Sequence, residues 1–201
     1  MDLRNILRSP LIYQSYQIAG GFFNARLKAI RSYLPLNDGD HVIDIGCGPG
    51  FLVEHIPHGV LYTGFDTDSK YIEFANARFK SRGTFVCDFF NEDAARKCRP
   101  ANVVMMNGVL HHLDDMEVSH TLSTIKNALA PGGVLFTLDG CFIRGQSPIA
   151  RALLNSDRGK FVRNPEQYRS LLLGRFQKVD VHISHDLSWM PYTWIVMIGR
   201  S

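Results

Sequence analysis

The chain has 201 residues, 45% of them apolar and 20% charged, with a net charge of +3. That size and balance suit a single globular domain with a sizeable core, and no apolar run approaches the length of a membrane span. The cationic surplus is too small for the concentrated Lys/Arg stripe that nucleic acid demands, so no nucleic-acid partner is expected.

The first forty residues carry helical spacing. Leu3, Ile6 and Leu7 share a face, Pro10 interrupts, and Leu11, Ile12 and Tyr16 continue it before a break at Gly20-Gly21. Phe22, Phe23, Leu27, Ile30 and Leu34 mark a second helix, and Pro35 to Gly39 is the loop into the first strand. The opening MDLRNILRSP lacks the continuous apolar region of a secretory signal. The cysteines Cys47, Cys87, Cys98 and Cys141 form no C-x-x-C pair, which argues against a zinc knuckle or a thioredoxin-type site. Cys47 and Cys87 stand where reduced, small apolar residues fit, so a cytoplasmic location is expected.

The stretch VIDIGCGPG, Val42 to Gly50, organises the rest of the chain. Val42, Ile43 and Ile45 read as a buried strand stopped by glycine. Gly46, Gly48 and Gly50 force a tight turn and leave room for a ligand to approach the backbone. A short helix over Phe51 to Ile56 would aim its free N–H groups at that ligand. Asp44 can orient the loop or accept from a ligand ammonium. Val60 to Phe65 is a second strand ending on Asp66, followed by Thr67. An acid at that tip can accept both hydroxyls of a ribose. A glycine turn with a ribose acid implies a nucleoside-containing cofactor. The spacing G-x-G-x-G differs from the dinucleotide fingerprint, and a carboxylate beside the loop suits a cationic amino-acid end better than a pyrophosphate.

Asp68 should cap a helix that buries Ile72, Ala75 and Phe79, with Gly83 ending it. Thr84 to Cys87 is a third strand, with Asp88 and Phe89 past its tip. Ala101 to Met106 is a fourth, with Asn107 and Gly108 at its carboxyl end, where open α/β sheets bind ligands. Asp114 or Asp115 caps a helix bearing Val118, Leu122, Ile125 and Leu129, and Pro131-Gly132-Gly133 turns into a fifth strand, Val134 to Leu138. This alternation predicts a doubly wound parallel sheet. Cys141 to Asn164 is rich in Arg and lacks a strong period, and Pro165 to Gly174 reads as a short helix. FQKVDVHISHDL and YTWIVMIGR then form two closely joined β segments, hence an antiparallel hairpin.

Five segments now stand in order: VIDIGCGPG, GFDTD, FVCDFF, VVMMNGVLHHLDD and LAPGGVLFTLD. Over about Asp40 to Asp139 the chain resembles the class I S-adenosylmethionine-dependent methyltransferases, in particular the quinone and natural-product enzymes. The resemblance implies a Rossmann-like α/β fold, a mostly parallel seven-stranded sheet closed by the antiparallel hairpin. It divides a single domain into an N-terminal helical lid (1–39), a cofactor-binding core (40–140), a substrate-side insertion (141–175) and the closing hairpin (176–201). It implies S-adenosylmethionine as cofactor and S-adenosylhomocysteine as product, held by Asp44, Gly46, Cys47, Gly48, Gly50, Asp66, Thr67, Asp88, Phe89, Asn107 and Gly108. Asp88 would take the adenine amino group and Phe89 would cover the ring.

Most of the rate of such a transfer can come from positioning, with a general base helping when the acceptor is a hydroxyl or an ammonium. His111 and His112 can act as the base or pack the loop, and Asp139 can be a base, a substrate anchor or a cap. Adjacent histidines lack metal-pair spacing and Asp139 alone cannot build a magnesium site, so no metal is expected. Fourth-strand residues Met106 to Val109 lack the Asn/Asp-Pro-Pro-aromatic element of base and amide methylation, and a nucleophilic Cys is absent there. A small organic acceptor, methylated at oxygen with nitrogen or carbon open, is the expectation. Tyr16 and Tyr192 are expected at the acceptor. Arg158 and Arg163 would grip an acidic group on it, or else form a solvated surface. Two other readings stand beside this one: an NAD-dependent oxidoreductase of similar topology, and a methyltransferase-fold binding subunit without activity. The sequence does not specify the oligomeric state.

Overall fold

The structure is a computed structural model that describes residues 9–157 and 159–200. Its β1 (His41–Ile45) is buried along its whole length. Because side chains alternate across a strand, such a strand needs cover on both faces. Val42 packs with α2 (Phe22–Tyr33) and α3 (Ser69–Phe79) on one face, through Phe23, Ile30, Ile72 and Phe79. Ile43 and Ile45 pack on the other with α5 (Asp115–Ala128) and α7 (Pro165–Leu173), through Leu122, Ile125, Tyr168 and Leu172.

The remaining strands are β2 (Leu61–Asp66), β3 (Thr84–Cys87), β4 (Ala101–Asn107), β5 (Leu129–Gly140), β6 (Lys178–Ser184) and β7 (Trp194–Arg200). They form one seven-stranded sheet in the order β3-β2-β1-β4-β5-β7-β6. β1 is parallel to both β2 and β4, and β7 is antiparallel to both β5 and β6. The doubly wound sheet and its closing antiparallel pair are therefore as expected. The winding reverses between β1 and β4, which leaves a crevice at their carboxyl ends, the usual place for a ligand in such sheets.

Several local expectations need correction. Pro10 stands at the first position of α1 (Pro10–Ala19), which needs no N–H. Leu3, Ile6 and Leu7 lie outside the described residues. The helix expected from Phe51 is a single 3₁₀ stretch, Phe51–His55, that buries Phe51, Leu52 and Val53. Pro131 to Gly133 is a bulge within β5, where the register against β4 slips between Ala101 and Val103. Two helices differ from expectation by being present at all. The short α4 (Glu92–Lys97) is capped by Asn91. In the Arg-rich segment, α6 (Pro148–Ser156) buries Ala150 and Leu154, one turn apart. Asp114 is the cap of α5: its carboxylate accepts from the N–H groups of Met116 and Glu117, and Glu117 answers on the Asp114 N–H.

Candidate active site

Three loops meet at the crevice. The first follows β1, where Gly46, Gly48 and Gly50 all have positive φ (75°, 58° and 80°). A Cβ on Gly46 would lie 2.6 Å from Val109 Cγ2, so the loop runs against the turn that follows β4. Asp66, at the tip of β2, accepts from the Gly48 N–H at 2.8 Å through one oxygen and from the Asp68 N–H at 2.9 Å through the other. Burial pushes its pKa up, and those two N–H groups oppose the rise. Each oxygen keeps a further lone pair for a ligand. Cys47 is buried, its thiol facing the Gly48 carbonyl at 3.5 Å. Thr67 continues the chain past Asp66, and its carbonyl faces the Cys87 thiol at 3.8 Å.

Asp44 and Asn107 lie on neighbouring strands beneath the loop. Asp44 Oδ2 accepts the Tyr62 hydroxyl at 2.6 Å, while Oδ1 is buried without a partner among the described residues. Burial raises its pKa to about 6, against the pull of Tyr62 and the charge of Arg26 on α2. Asn107 is buried and makes no well-formed hydrogen bond among the described residues, though its amide stands close enough to Asp44 to pull that carboxyl's pKa down. Gly108 follows with φ 71°. Unpaired buried polar atoms are costly, and atoms of this kind gathered at a ligand crevice fit a bound polar group. An acid with an amide suits an ammonium, the ribose-side acid Asp66 suits hydroxyls, and the glycine loop leaves room above them. The residues present therefore fit S-adenosylmethionine.

Asp88 and Phe89 lie past β3 and are exposed, Phe89 at 72%. The Asp88 carboxylate accepts the Phe89 N–H at 2.7 Å. A cleft of about 670 Å³ runs along β2 and β3 from His41 to Asp88 beside the short α4, but Asp44, Asn107 and His111 do not line it. On the other side of the loop, Tyr13 of α1 rests within 3.6 Å of the Cβ position of Gly48. Tyr16 is half exposed, with its ring 6.0 Å from Phe22. Phe22 meets Tyr192 and Trp194 edge-on, at 5.6 and 5.9 Å. The N-terminal helices thus bring an aromatic wall to the crevice.

The third loop carries the two histidines in a 3₁₀ turn, Leu110–His112. His111 is buried with both imidazole nitrogens engaged. Nδ1 meets Asp139 Oδ1 at 2.7 Å and Nε2 meets Asp157 Oδ1 at 3.5 Å. Burial alone would lower the His111 pKa; the two carboxylates more than reverse that and lift it to about 10. His112 is exposed, its ring centroid 4.2 Å from that of His111. Asp139 is 0% exposed; its Oδ1 orients the His111 ring, and its Oδ2 is buried without a partner among the described residues. Tyr192 is buried, and its hydroxyl donates to Asp157 Oδ2 at 2.8 Å. The hydroxyl therefore reaches a neighbour of His111 first.

Arg163 is the clearest correction. It is buried, and all five of its N–H groups are used: on Asp115 through Nε and Nη2, on the carbonyls of Leu110 and Phe161 through Nη1, and on that of Leu113 through Nη2. It ties the insertion to the histidine turn and has no donor left to grip a substrate. Arg158 lies outside the described residues. Sequence reasoning missed Arg26, Tyr62 and Asp157. The signal for Asp157 is that it is the only acid in its Arg-rich segment. Among the described residues no group of His, Cys, Asp and Glu could hold a metal ion, and no helix is long and apolar enough to cross a membrane.

Comparison with known proteins agrees with this geometry. Residues 43–135 match the family described as a methyltransferase domain. The ubiquinone biosynthesis O-methyltransferase of Rhizobium leguminosarum bv. trifolii is 34% identical over 110 residues, covering 53% of this chain and 42% of that protein. Its namesake from Coxiella burnetii is 31% identical over 121 residues, covering 55% and 47%. The match thus spans less than half the length of these curated relatives. Human N-acetylserotonin methyltransferase, solved in complex with S-adenosylmethionine, shares the fold with a TM-score of 0.70 at 20% identity, over 98% of this chain and 57% of that one. The family match lies on β1 to β5, so those strands and the glycine loop between them carry the methyltransferase-domain pattern, on a sheet whose fold is shared with a solved methyltransferase.

Proposed function

We propose that this chain transfers a methyl group from S-adenosylmethionine to an oxygen atom of a small organic acceptor. The observation that carries the reading is the convergence, at one sheet edge, of unpaired Asp44 and Asn107 atoms with the oriented His111–Asp139 pair. Likeness to the ubiquinone O-methyltransferases supports oxygen as the acceptor atom. Asp44 and Asn107 would hold the ammonium end of the cofactor, Asp66 its ribose hydroxyls, and Asp88 with Phe89 its adenine. When bound, that cofactor supplies an activated methyl group. The protein aligns the acceptor, excludes water and takes the acceptor's proton, and positioning supplies most of the rate.

His111 is the residue proposed to take that proton, oriented by Asp139 as bases are oriented in other sites. Tyr16, Tyr192 and the neighbouring Phe22 and Trp194 support an apolar or planar acceptor body. An acidic group on the acceptor has no partner in Arg163. Calorimetry with S-adenosylmethionine and S-adenosylhomocysteine tests the cofactor, and labelled methyl transfer to a panel of phenols and hydroxyquinones tests the acceptor class. Binding of NAD⁺ in preference to both would support the oxidoreductase reading. Cofactor binding with no transfer to any acceptor would support a binding subunit.

A further inference from the structure

His111 makes two carboxylate contacts of different kinds. The inner one, to Asp139, is 2.7 Å long and is supported by the His111 N–H reaching the same oxygen at 3.3 Å. Asp139 sits in a strand and is wholly buried, so that bond has nowhere to go. The outer one, to Asp157, is 3.5 Å, and the Asp157 side chain is 23% exposed. Asp157 stands just past the end of α6, with its carboxylate stretched between His111 Nε2, the Tyr192 hydroxyl at 2.8 Å and the Gly159 N–H at 3.2 Å. Gly159 and Phe161 lie against His111. A Cβ on Gly159 would fall 1.9 Å from His111 Cδ2, and the Phe161 N–H donates to the His111 carbonyl at 3.0 Å.

An imidazole with a carboxylate on each nitrogen carries a proton on each and has no lone pair. The base of the proposed reaction is therefore shut in this arrangement, and the residue that shuts it is the more exposed, longer-bonded acid. We propose that Asp157 is a positioning residue that gates His111: it occupies the nitrogen an acceptor hydroxyl must reach, and acceptor binding draws it away. The gate rests on the methyl-transfer reading above. When Asp157 leaves, Nε2 gives its proton to water and keeps the freed electron pair. It then accepts the acceptor's O–H proton as that oxygen forms its new bond to carbon. The other groups around the ring stay in place. Asp139 continues to hold Nδ1, the His112 ring lies tilted beside it, and Arg163 is bound to the carbonyls of Leu110 and Leu113 and to Asp115. Without an acceptor the closed gate keeps the imidazolium in place and covers the reactive edge.

The test is a pH titration of the His111 side-chain nitrogens by ¹⁵N NMR, with S-adenosylhomocysteine present and absent, His111→Gln assigning the signal. In the wild type both nitrogens should stay protonated through pH 8. Asp157→Asn removes the charge, and Gly159→Ala pushes the segment, and Asp157 with it, off the ring without changing the chemistry of any titratable group. Each should lower the pH at which Nε2 loses its proton by at least one unit, a tenfold change in proton affinity. An ordinary midpoint near 6.5 in the wild type, or wild-type behaviour in both variants, overturns the gate. These measurements need no methyl transfer, so they separate the gate from the function. A shift in both variants with no oxygen acceptor ever methylated leaves the gate standing and sinks the functional reading. Transfer to oxygen with an unchanged kcat/KM–pH profile in both variants overturns the gate.

Discussion

Tyr62 donates its hydroxyl to Asp44 at 2.6 Å, yet the other Asp44 oxygen is buried and unpaired among the described residues. One hydrogen bond does not repay the desolvation of a fully buried carboxylate, which is why burial lifts its pKa from 3.8 to about 6. The folded chain therefore holds this proton more tightly than the unfolded chain does. Below the unfolded value both forms are protonated and the advantage is whole; as pH rises through 6 the folded carboxyl ionises in a dry place and stability falls, by about 3 kcal/mol in all. Asp44→Asn should remove that slope and raise the apo melting temperature at pH 7 while weakening cofactor binding. Thermal melts between pH 4 and 8 check it; an unchanged slope in the variant would assign the pH dependence elsewhere.

The parts of this site that repeat a spacing are legible in the amino-acid order alone. Gly46, Gly48 and Gly50 announce positive φ because other residues resist it, and Asp66 stands at the tip of the next buried strand. Register-bound features such as these come from local geometry. The parts supplied by long-range contacts are not legible in that way. Whether Arg163 meets a substrate or a carbonyl depends on where residues 110–115 fold relative to 163, and nothing within the segment encodes that. Asp157 has Arg neighbours in sequence, but in the fold it turns toward His111, far earlier in the chain, and toward Tyr192. The amphipathic α6 is hidden because its buried face is only Ala150 and Leu154.

Arg163→Met should destabilise the fold, leaving the carbonyls of Leu113 and Phe161 unpaired and that of Leu110 with only the Leu113 N–H at 3.3 Å. The Asp115 half of the ion pair is largely exposed, so the carbonyls dominate the loss, about 2–4 kcal/mol in total. Arg163→Lys should rescue little, because an ammonium presents its donors at one point and cannot reproduce the fork. Urea unfolding measures both. A substrate-gripping arginine would instead leave stability alone and raise KM for the acceptor.

Two glycines with similar backbones should behave differently. Gly50 (φ 80°) has Phe85 Cε1 at 2.8 Å and the Ala75 Cβ at 3.0 Å from where its own Cβ would stand; Gly145 (φ 73°) has nothing within 4 Å. Gly145→Ala should therefore cost only the backbone strain, on the order of 1 kcal/mol. Gly50→Ala adds overpacking against Phe85 and Ala75, worth about 1–3 kcal/mol more, and displaces the loop. Melting temperatures rank the two, and calorimetry with S-adenosylhomocysteine should show a loss for Gly50→Ala alone.

Asp66→Ala should weaken S-adenosylmethionine binding and also loosen the loop that binds it. On ligand grounds alone, losing hydrogen bonds from two ribose hydroxyls to a charged acceptor predicts a loss of tens-fold or more in affinity, at roughly 1.5–3 kcal/mol each and non-additively. The structure adds a second effect, because the same carboxylate fixes the Gly48 and Asp68 N–H groups. Its loss unties the glycine loop from the tip of β2, so the apo protein should lose stability too. Asp66→Asn separates the two effects. An amide oxygen can still accept from one of those N–H groups, so the loop should be partly held while the charge on the ribose is gone. The expected order of affinity is wild type, then Asn, then Ala, with hydrogen exchange at Gly48 accelerating most in Ala. Equal affinity in all three would remove Asp66 from the cofactor site; equal exchange at Gly48 would show that the loop is held by its glycine geometry alone.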